Sequence, residues 1–527
     1  MRRLLLAALV LAALVPAIRL AWLSRDGPHL GFYHDDGLYW VTAKSLAGGG
    51  GYRIPSLPGA PYQTKYPPLF PLLLAAAWRV TPEFPASLGT AVWLTWLPLP
   101  ILILLFDRLL ARWGTDGVTR TVLGAALALN PYLAFFGTTL LSEMWASVFV
   151  LAALLAAARA SSGLVAAAAY LTKTVCAPLV AALPLTLATK RKRLLFLACA
   201  LPPVAAWHAW AAAHRAPATD WTSLYYLDYL GFYRADVTLS LLPALLYRNL
   251  GELFTAGGDL LLFKLSAVPF GENLSRLVMI AALAGVVRWT RSSRKLEYLL
   301  FAAGTFALLL VWNFPPNERF LLPLLPLLLL GLWTESRHLA GIARAAWKRP
   351  EVPQKIAAAV AALLLAGFAA ALTGRSLDAT WNTLPALAEQ RRAATARALP
   401  LYNWIRAHTP AEATFFADRD TTLYLYTGRR ATALRMPVRY FYAGDDQAIL
   451  AASRRLPEFA RARRLDSVLL TPADFELDPR PGEQRRAARR ALTQDPLFRV
   501  VYDSPAGTVF AVSYFTPSAH TWLRPRM

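Results

Sequence analysis

The sequence predicts a mainly α-helical, polytopic membrane-spanning body with interfacial helices in its first outer loop, followed by a small extracytoplasmic α/β domain. Composition is the first reason: of 527 residues, 56% are hydrophobic and only 17% are charged, too apolar for an ordinary soluble protein. Apolar stretches of about 20 residues, the length of a membrane-crossing helix, recur along the chain, and they stop near residue 373. The formal net charge of +23 is gathered in clusters between those stretches. That is the pattern of cytoplasmic loops under the positive-inside rule, and it makes a membrane, not nucleic acid, the partner of this basic chain.

The clusters set the order of the spans. Arg2 and Arg3 precede the first apolar run, Arg108, Arg112 and Arg120 separate the next two, and the run KRKR at 190–193 follows a later pair. Arg288, Arg291, Arg294 and Lys295, then Arg344, Lys348, Arg349 and Lys355, complete the series. With these inside, spans run outward over residues 4–23, 118–137, 194–213, 296–313 and 356–373, and return over 86–110, 143–158, 271–288 and 320–336. The first segment has the outline of a secretory signal, but its apolar run passes Pro16 and reaches Trp22 without a small-residue cleavage site, so it is expected to span. Residues 162–188 lie between two basic positions, Arg159 and the 190–193 cluster, which leaves too few residues for two full spans. A re-entrant hairpin with Lys173 and Thr174 near its turn satisfies the parity.

Outside remain residues 24–85, residues 214–270 with the aromatic run Trp221, Tyr225, Tyr226, Tyr229, Phe232 and Tyr233, and the tail from 374. The chain is thus expected to divide into a transmembrane module, 1–373, and a soluble domain, 374–527. In the tail, strand-like runs at 413–417, 467–471, 498–503 and 508–515 alternate with helical stretches at 383–408, 446–464 and 483–493, as in a small α/β domain. The two cysteines, Cys176 and Cys199, fall in apolar segments and form no disulfide framework.

Polar groups are costly at the ends of spans, so those present are candidates for chemistry. Asp35 and Asp36 stand in GFYHDDGLYW, residues 31–40, ahead of an amphipathic stretch with Leu38, Tyr39, Val41, Ala43 and Leu46 around Lys44. Paired carboxylates can accept a proton or hold a cation, while the simpler reading is a helix N-cap. Lys65, in YQTKYPPLFPLLL between Tyr62 and Tyr66, precedes Pro67, Pro68 and a leucine run; it suits a phosphate, or it snorkels to headgroups. Glu143 opens a span in LLSEMWASVF, where a helix N-terminus alone accounts for an acid. Arg319 follows Asn317 and Glu318; its paired N–H groups suit a phosphate oxyanion, or it pairs with Glu318. What joins these sites is that the topology, assigned from basic clusters elsewhere, brings them to one face. The glycines at 48–51 lack the lysine and helix of a phosphate loop. His34 reads as a surface neighbour, and no zinc-like spacing occurs. No metal ligand and no cofactor are therefore assigned, with a divalent cation left open.

The order HDD, GGGGYRIPSLPG, TKYPPL, LLSEM, a hairpin bearing LTK and NERFLLPLLPLL resembles the C-type glycosyltransferase superfamily (GT-C), and within it bacterial members similar to the protein O-mannosyltransferases and the lipid A aminoarabinose transferases. The resemblance covers about the first 370 residues. It implies an inverting glycosyltransferase of the plasma (inner) membrane, with a cytoplasmic N-terminus, moving one sugar from a polyprenyl-monophosphate donor to a protein, lipid or glycan acceptor on the non-cytoplasmic face. Asp35 matches the acid that deprotonates or orients the acceptor, Asp36 its supporting neighbour, and Glu143 the second outer acid. Lys65, with Tyr62 and Tyr66 beside it, matches the lysine-proline-proline-leucine element, here with Tyr66 inserted. Lys173 and Arg319 match the hairpin lysine and the arginine before a late leucine-proline-rich span. Nucleic acid is not an expected partner. The competing reading is a transporter or flippase, whose broken hairpins carry charges in the same way; a third is an export or assembly factor whose outer domain binds partners.

Overall fold

The structure, a computed structural model, describes residues 2–157, 159, 161–348, 352–476 and 478–514. Arg349 of the last basic cluster and position 515 of the last expected strand lie outside the described residues. Among them, four helices are long and apolar enough to cross a membrane: Ser87–Arg112, Lys190–His214, Glu318–Trp347 and Val352–His408. Ala7–Leu23, Gly117–Ala128, Glu143–Leu155 and Glu297–Leu310 are apolar but shorter. Gly271–Ser293 has the length and carries Glu272, Arg276, Arg288 and Arg291.

Two departures from the expected spans have local causes. The segment 118–137 divides after Asn130, because Pro131 has no N–H for the helix ladder. Asn130 Oδ1 then accepts from the N–H groups of Tyr132 (3.0 Å) and Leu133 (3.1 Å) and starts the short helix Pro131–Phe136. Conversely, Leu242–Leu262, expected within an outer region, is one helix of 21 residues packed along Gly271–Ser293. Arg248, Glu252 and Asp259 dilute its apolar run.

The hairpin forms as two short helices, Ser162–Thr172 and Ala177–Thr186, joined by Lys173 in extended conformation and a 3-10 turn, Thr174–Cys176. Its first arm packs on Glu143–Leu155 and Lys190–His214, and its second on Glu297–Leu310. Protein therefore covers the interrupted backbone.

Gly271–Ser293 and Leu325–Trp347 meet backbone to backbone. A Cβ at Gly285 would lie 1.9 Å from the Gly331 carbonyl oxygen, and one at Gly331 would lie 2.2 Å from that of Ala282. Small residues permit such approach between membrane helices. Gly285→Ala is expected to cost about 2 kcal/mol through overpacking, read as a lower melting temperature of the purified protein. Gly341→Ala, where a Cβ meets nothing within 4 Å, is expected to be neutral; equal melting of the two variants would refute the contact.

The last apolar helix runs past residue 373 without a break to His408, through a π-helical turn at Ala379–Thr383. The α/β domain that follows holds β1 (Thr414–Phe416), β2 (Arg430–Thr432), β3 (Ser467–Leu470), β4 (Phe498–Ser504) and β5 (Gly507–Val512). The sheet order is β2-β1-β3-β5-β4, parallel across β2, β1 and β3 and antiparallel from β3 to β5 and β5 to β4. β2 and the residues after it are tied to the body: the Ala431 N–H donates to Ser56 O (2.8 Å), that of Arg435 to Thr222 Oγ1 (3.1 Å) and that of Arg439 to Asp236 Oδ1 (3.0 Å).

Between body and domain lies the loop helix His34–Ala47, buried on most of its circumference. Trp40 stacks on Trp78 at 4.4 Å. On the domain side, a Cβ at Gly37 would fall 2.0 Å from Thr421 Oγ1, so only glycine permits this approach.

Candidate active site

Four element ends converge on one cluster of charge. Asp35 occupies the first turn of the loop helix, Glu143 the first position of Glu143–Leu155, Lys173 the hairpin turn, and Arg319 the turn Glu318–Leu321 that precedes Leu325–Trp347. Arg319 Nη2 donates to Asp35 Oδ2 at 2.7 Å and Arg319 Nε to Glu143 Oε1 at 2.5 Å. Lys173 Nζ donates to the same Glu143 oxygen at 2.6 Å, and the Tyr66 hydroxyl to Asp35 Oδ1 at 2.5 Å. Glu143 is fully buried, and its Oε2 has no hydrogen-bond partner among the described residues. The Arg319 guanidinium lies 4.8 Å from the Tyr33 ring. Glu318 turns the other way and accepts from the Tyr132 hydroxyl at 2.9 Å, so it is not the partner of Arg319.

Lys65 stands beside this cluster in a different environment. It is buried, and Nζ lies 3.7 Å from the centre of the Tyr225 ring, 4.8 Å from that of Tyr66 and 5.2 Å from that of Tyr229. Among the described residues it forms no salt bridge; the ring faces meet its charge through cation–π attraction, and Asp35 acts on it from farther away. Burial pushes the ammonium down to about 7, against the pull of Asp35. Burial opposes ionisation of Asp35, but Arg319, Lys65 and the Tyr66 hydroxyl outweigh it and hold this carboxyl below its ordinary value.

The neighbouring acid is used otherwise. Asp36 accepts backbone N–H bonds from Gly31 (3.0 Å) and Tyr33 (3.1 Å), closing the start of the loop helix. Burial raises this carboxyl to about 7, with those N–H groups pulling it back. Tyr62 sits apart, edge-on to Trp210 and His214 at the end of Lys190–His214 and under the Arg53 guanidinium. Thus Asp35, Glu143, Lys173, Arg319 and Tyr66 are brought together with Lys65 at their side, whereas Asp36 and Tyr62 face backbone and rings.

Sequence reasoning passed over His34. It is no surface residue: Nε2 lies 2.8 Å from Asp420 Oδ1 and 3.2 Å from the Tyr226 hydroxyl, and Nδ1 lies 3.2 Å from that of Tyr225. Burial lowers its proton affinity. His34 thereby joins the loop helix to the C-terminal domain and fixes the ring on which Lys65 rests. The aromatic spacing of 225, 226 and 229 was the available signal; Asp420, far along the chain, had none. Among the described residues no three His, Cys, Asp or Glu side chains form a metal-ligand group.

No protein-family profile and no curated protein matches the sequence. Solved structures do. The chain is similar to ArnT from Cupriavidus metallidurans bound to undecaprenyl phosphate, at 15% identity and a TM-score of 0.55, covering 95% of this chain and 97% of that one. It is similar to the same protein in the apo state, at 12% identity and TM-score 0.53, covering 96% and 98%. A third likeness is to the Archaeoglobus fulgidus oligosaccharyltransferase tethered with an acceptor peptide containing the NVT sequon, at 12% identity and TM-score 0.53, covering 97% of this chain and 74% of that one. At such identities the likeness is one of fold. The chain shares the fold of these proteins, and with its long apolar helices it is a multi-pass membrane protein.

Proposed function

We propose that this chain is a membrane glycosyltransferase that moves one sugar from a polyprenyl-monophosphate donor to an acceptor hydroxyl or amine on the non-cytoplasmic face, with inversion at the anomeric carbon. The observation that carries the reading is the convergence of Asp35, Arg319, Glu143 and Lys173 beside a buried lysine packed against aromatic rings. Of the solved structures of the same fold, one is bound to undecaprenyl phosphate and another is tethered with an acceptor peptide, which fits a lipid-linked donor and a separate acceptor.

The chemistry follows from charge. As the bond from the anomeric carbon to the phosphate oxygen breaks, negative charge grows on the phosphate. Lys65 and Arg319 are placed to meet it, and preorganised donors at developing charge are the largest common term in catalysis. Arg319 now divides itself between two carboxylates; a phosphate drawing it away leaves Asp35 free to take the acceptor proton as the new bond to carbon forms. Glu143 keeps its ion pair with Lys173 when Arg319 turns to the phosphate, which favours a structural role over a nucleophilic one. One free carboxylate supports a single displacement, and hence inversion.

Because Lys65 titrates near 7 and only its charged form attracts phosphate, donor affinity is expected to fall as pH rises above that value. Bound phosphate raises the lysine pKa, so the effect belongs to KM for the donor before kcat. Donor KM measured from pH 6 to 9 tests this: it should climb in the native protein and stay flat in Lys65→Arg, whose charge persists. A flat native profile would remove Lys65 from the phosphate site.

The activity itself is tested with the purified full chain in nanodiscs and an undecaprenyl-phosphate sugar labelled in the sugar. Label passing to a new covalent acceptor supports the reading. Label that crosses the bilayer of sealed vesicles with its bond to phosphate intact refutes it in favour of transport.

A further inference from the structure

Lys65 shares one of its rings with a second cation. Its Nζ lies 3.7 Å from the centre of the Tyr225 ring, and the Arg435 guanidinium lies 4.9 Å from the same centre. Lys65 belongs to the first loop, Tyr225 to the helix Trp221–Leu227 and Arg435 to the C-terminal domain. We propose that Arg435 is a positioning residue for the donor phosphate: it braces the ring on which Lys65 rests and repels the charge of that lysine across it. The inference rests on the reading of Lys65 as the phosphate-binding cation and adds to it a role for the C-terminal domain.

The placement of Arg435 is fixed by the helix that carries Tyr225. The Arg435 N–H donates to Thr222 Oγ1 at 3.1 Å, and the Ala433 N–H to the Tyr226 hydroxyl at 3.3 Å. The Tyr225 hydroxyl meets His34 Nδ1 at 3.2 Å, and His34 is in turn held by Asp420 at 2.8 Å. The C-terminal domain thus reaches this ring twice, at its hydroxyl end through His34 and at its π-system through Arg435.

Because they meet one ring, the two cations are no more than about 9 Å apart, a distance at which like charges repel appreciably where burial limits screening. Burial is the largest influence on Lys65; Asp35, on the loop helix, favours its charged form, while Arg435 and then Arg319 disfavour it. The rings of Tyr66, Tyr225 and Tyr229 complete its surroundings. Arg319 is closely paired with Asp35 and Glu143. Arg435 has one salt bridge among the described residues, to Asp418 at 3.8 Å, so its field is less compensated. Removing the Arg435 charge should therefore let Lys65 keep its proton to higher pH, and so hold phosphate more tightly in the alkaline range.

The test measures, on the full chain in detergent, the Kd of methyl undecaprenyl phosphate, a diester whose single negative charge does not change between pH 6 and 9. The native Kd is expected to rise above pH 7. Arg435→Gln should move that rise up by about one pH unit, and so bind the probe about fivefold more tightly than the native protein at pH 8 while matching it at pH 6. Arg435→Lys, which keeps the charge, should follow the native curve. Weaker binding by Arg435→Gln at every pH overturns the inference, because a guanidinium that touched the phosphate, or that only supported the fold, would give that sign. An Arg435→Gln curve that superposes on a rising native curve overturns it and leaves Lys65 in place; flat curves for both reject Lys65 as the phosphate site and the inference with it. Should Arg435→Gln not elute as a folded protein, Asp418→Asn decides: it removes the counter-charge of Arg435 and must move the rise to lower pH, and an unmoved or higher rise overturns the inference. A rise that moves as expected, without transfer of label from a lipid-linked sugar, keeps the inference and rejects only the glycosyltransferase reading.

Discussion

Asp35→Asn is expected to lower sugar transfer by about a thousandfold, the usual scale for loss of a positioned proton acceptor. The substitution nearly conserves shape: the amide oxygen can still accept from Tyr66 or Arg319, which now bond the two carboxylate oxygens. What disappears is the negative charge, and with it the ability to take a proton. Insertion and folding should persist, shown by an unchanged elution volume and a melting temperature close to that of the native protein. Activity within tenfold of native in a folded Asp35→Asn protein would remove Asp35 from the role of base. Because Arg319 and Lys65 hold this carboxyl below its ordinary value, Asp35 stays ionised through the neutral range, so any loss of rate near pH 7 must come from another group.

Glu143→Leu is expected to be the most damaging single change to stability, at about 3–5 kcal/mol, because truncating one member of a buried ion cluster strands its partners. Glu143 Oε1 alone receives both Arg319 Nε and Lys173 Nζ. Without it Arg319 retains Asp35, whereas Lys173 keeps no carboxylate. Adding Lys173→Met should therefore recover part of the loss, since a stranded charge is then replaced by an apolar chain. Thermal unfolding of the two single variants and the double variant tests this. Losses that simply add would show that the two side chains are not energetically coupled.

The sequence made the helical body legible because apolar runs and basic clusters alternate, and both leave local marks. It also assigned Asp35, Asp36, Glu143, Lys65 and Arg319 to one face from topology, while Lys173 entered the site only through the resemblance. Their pairing was another matter. Glu318 stands next to Arg319 in the chain, yet the partners of Arg319 are Asp35 and Glu143, which only folding places together. The aspartate pair needed both readings at once: Asp36, in the first turn and not at the N-cap, which is Tyr33, reaches back to the Tyr33 N–H, and Asp35 faces the charges. Where periodicity is thin, reading the chain fails. Strand β2 is three residues long and was not anticipated, and Leu242–Leu262 carries enough charge to pass for a loop.

The two arms of the hairpin have 11 and 10 residues, which at 1.5 Å per residue reach only about 17 and 15 Å. Hydrocarbon in an ordinary bilayer is roughly 30 Å thick, and Leu164 and Leu185 project outward from these arms with more than half of their surface uncovered. Sinking the ionic cluster toward the midplane would cost several kcal/mol per charge, whereas deforming the surrounding lipid costs fractions of a kcal/mol per ångström. A bilayer is therefore expected to thin along that flank, and on the proposed reading the tail of a lipid-linked donor passing there has a shorter path between headgroup layers.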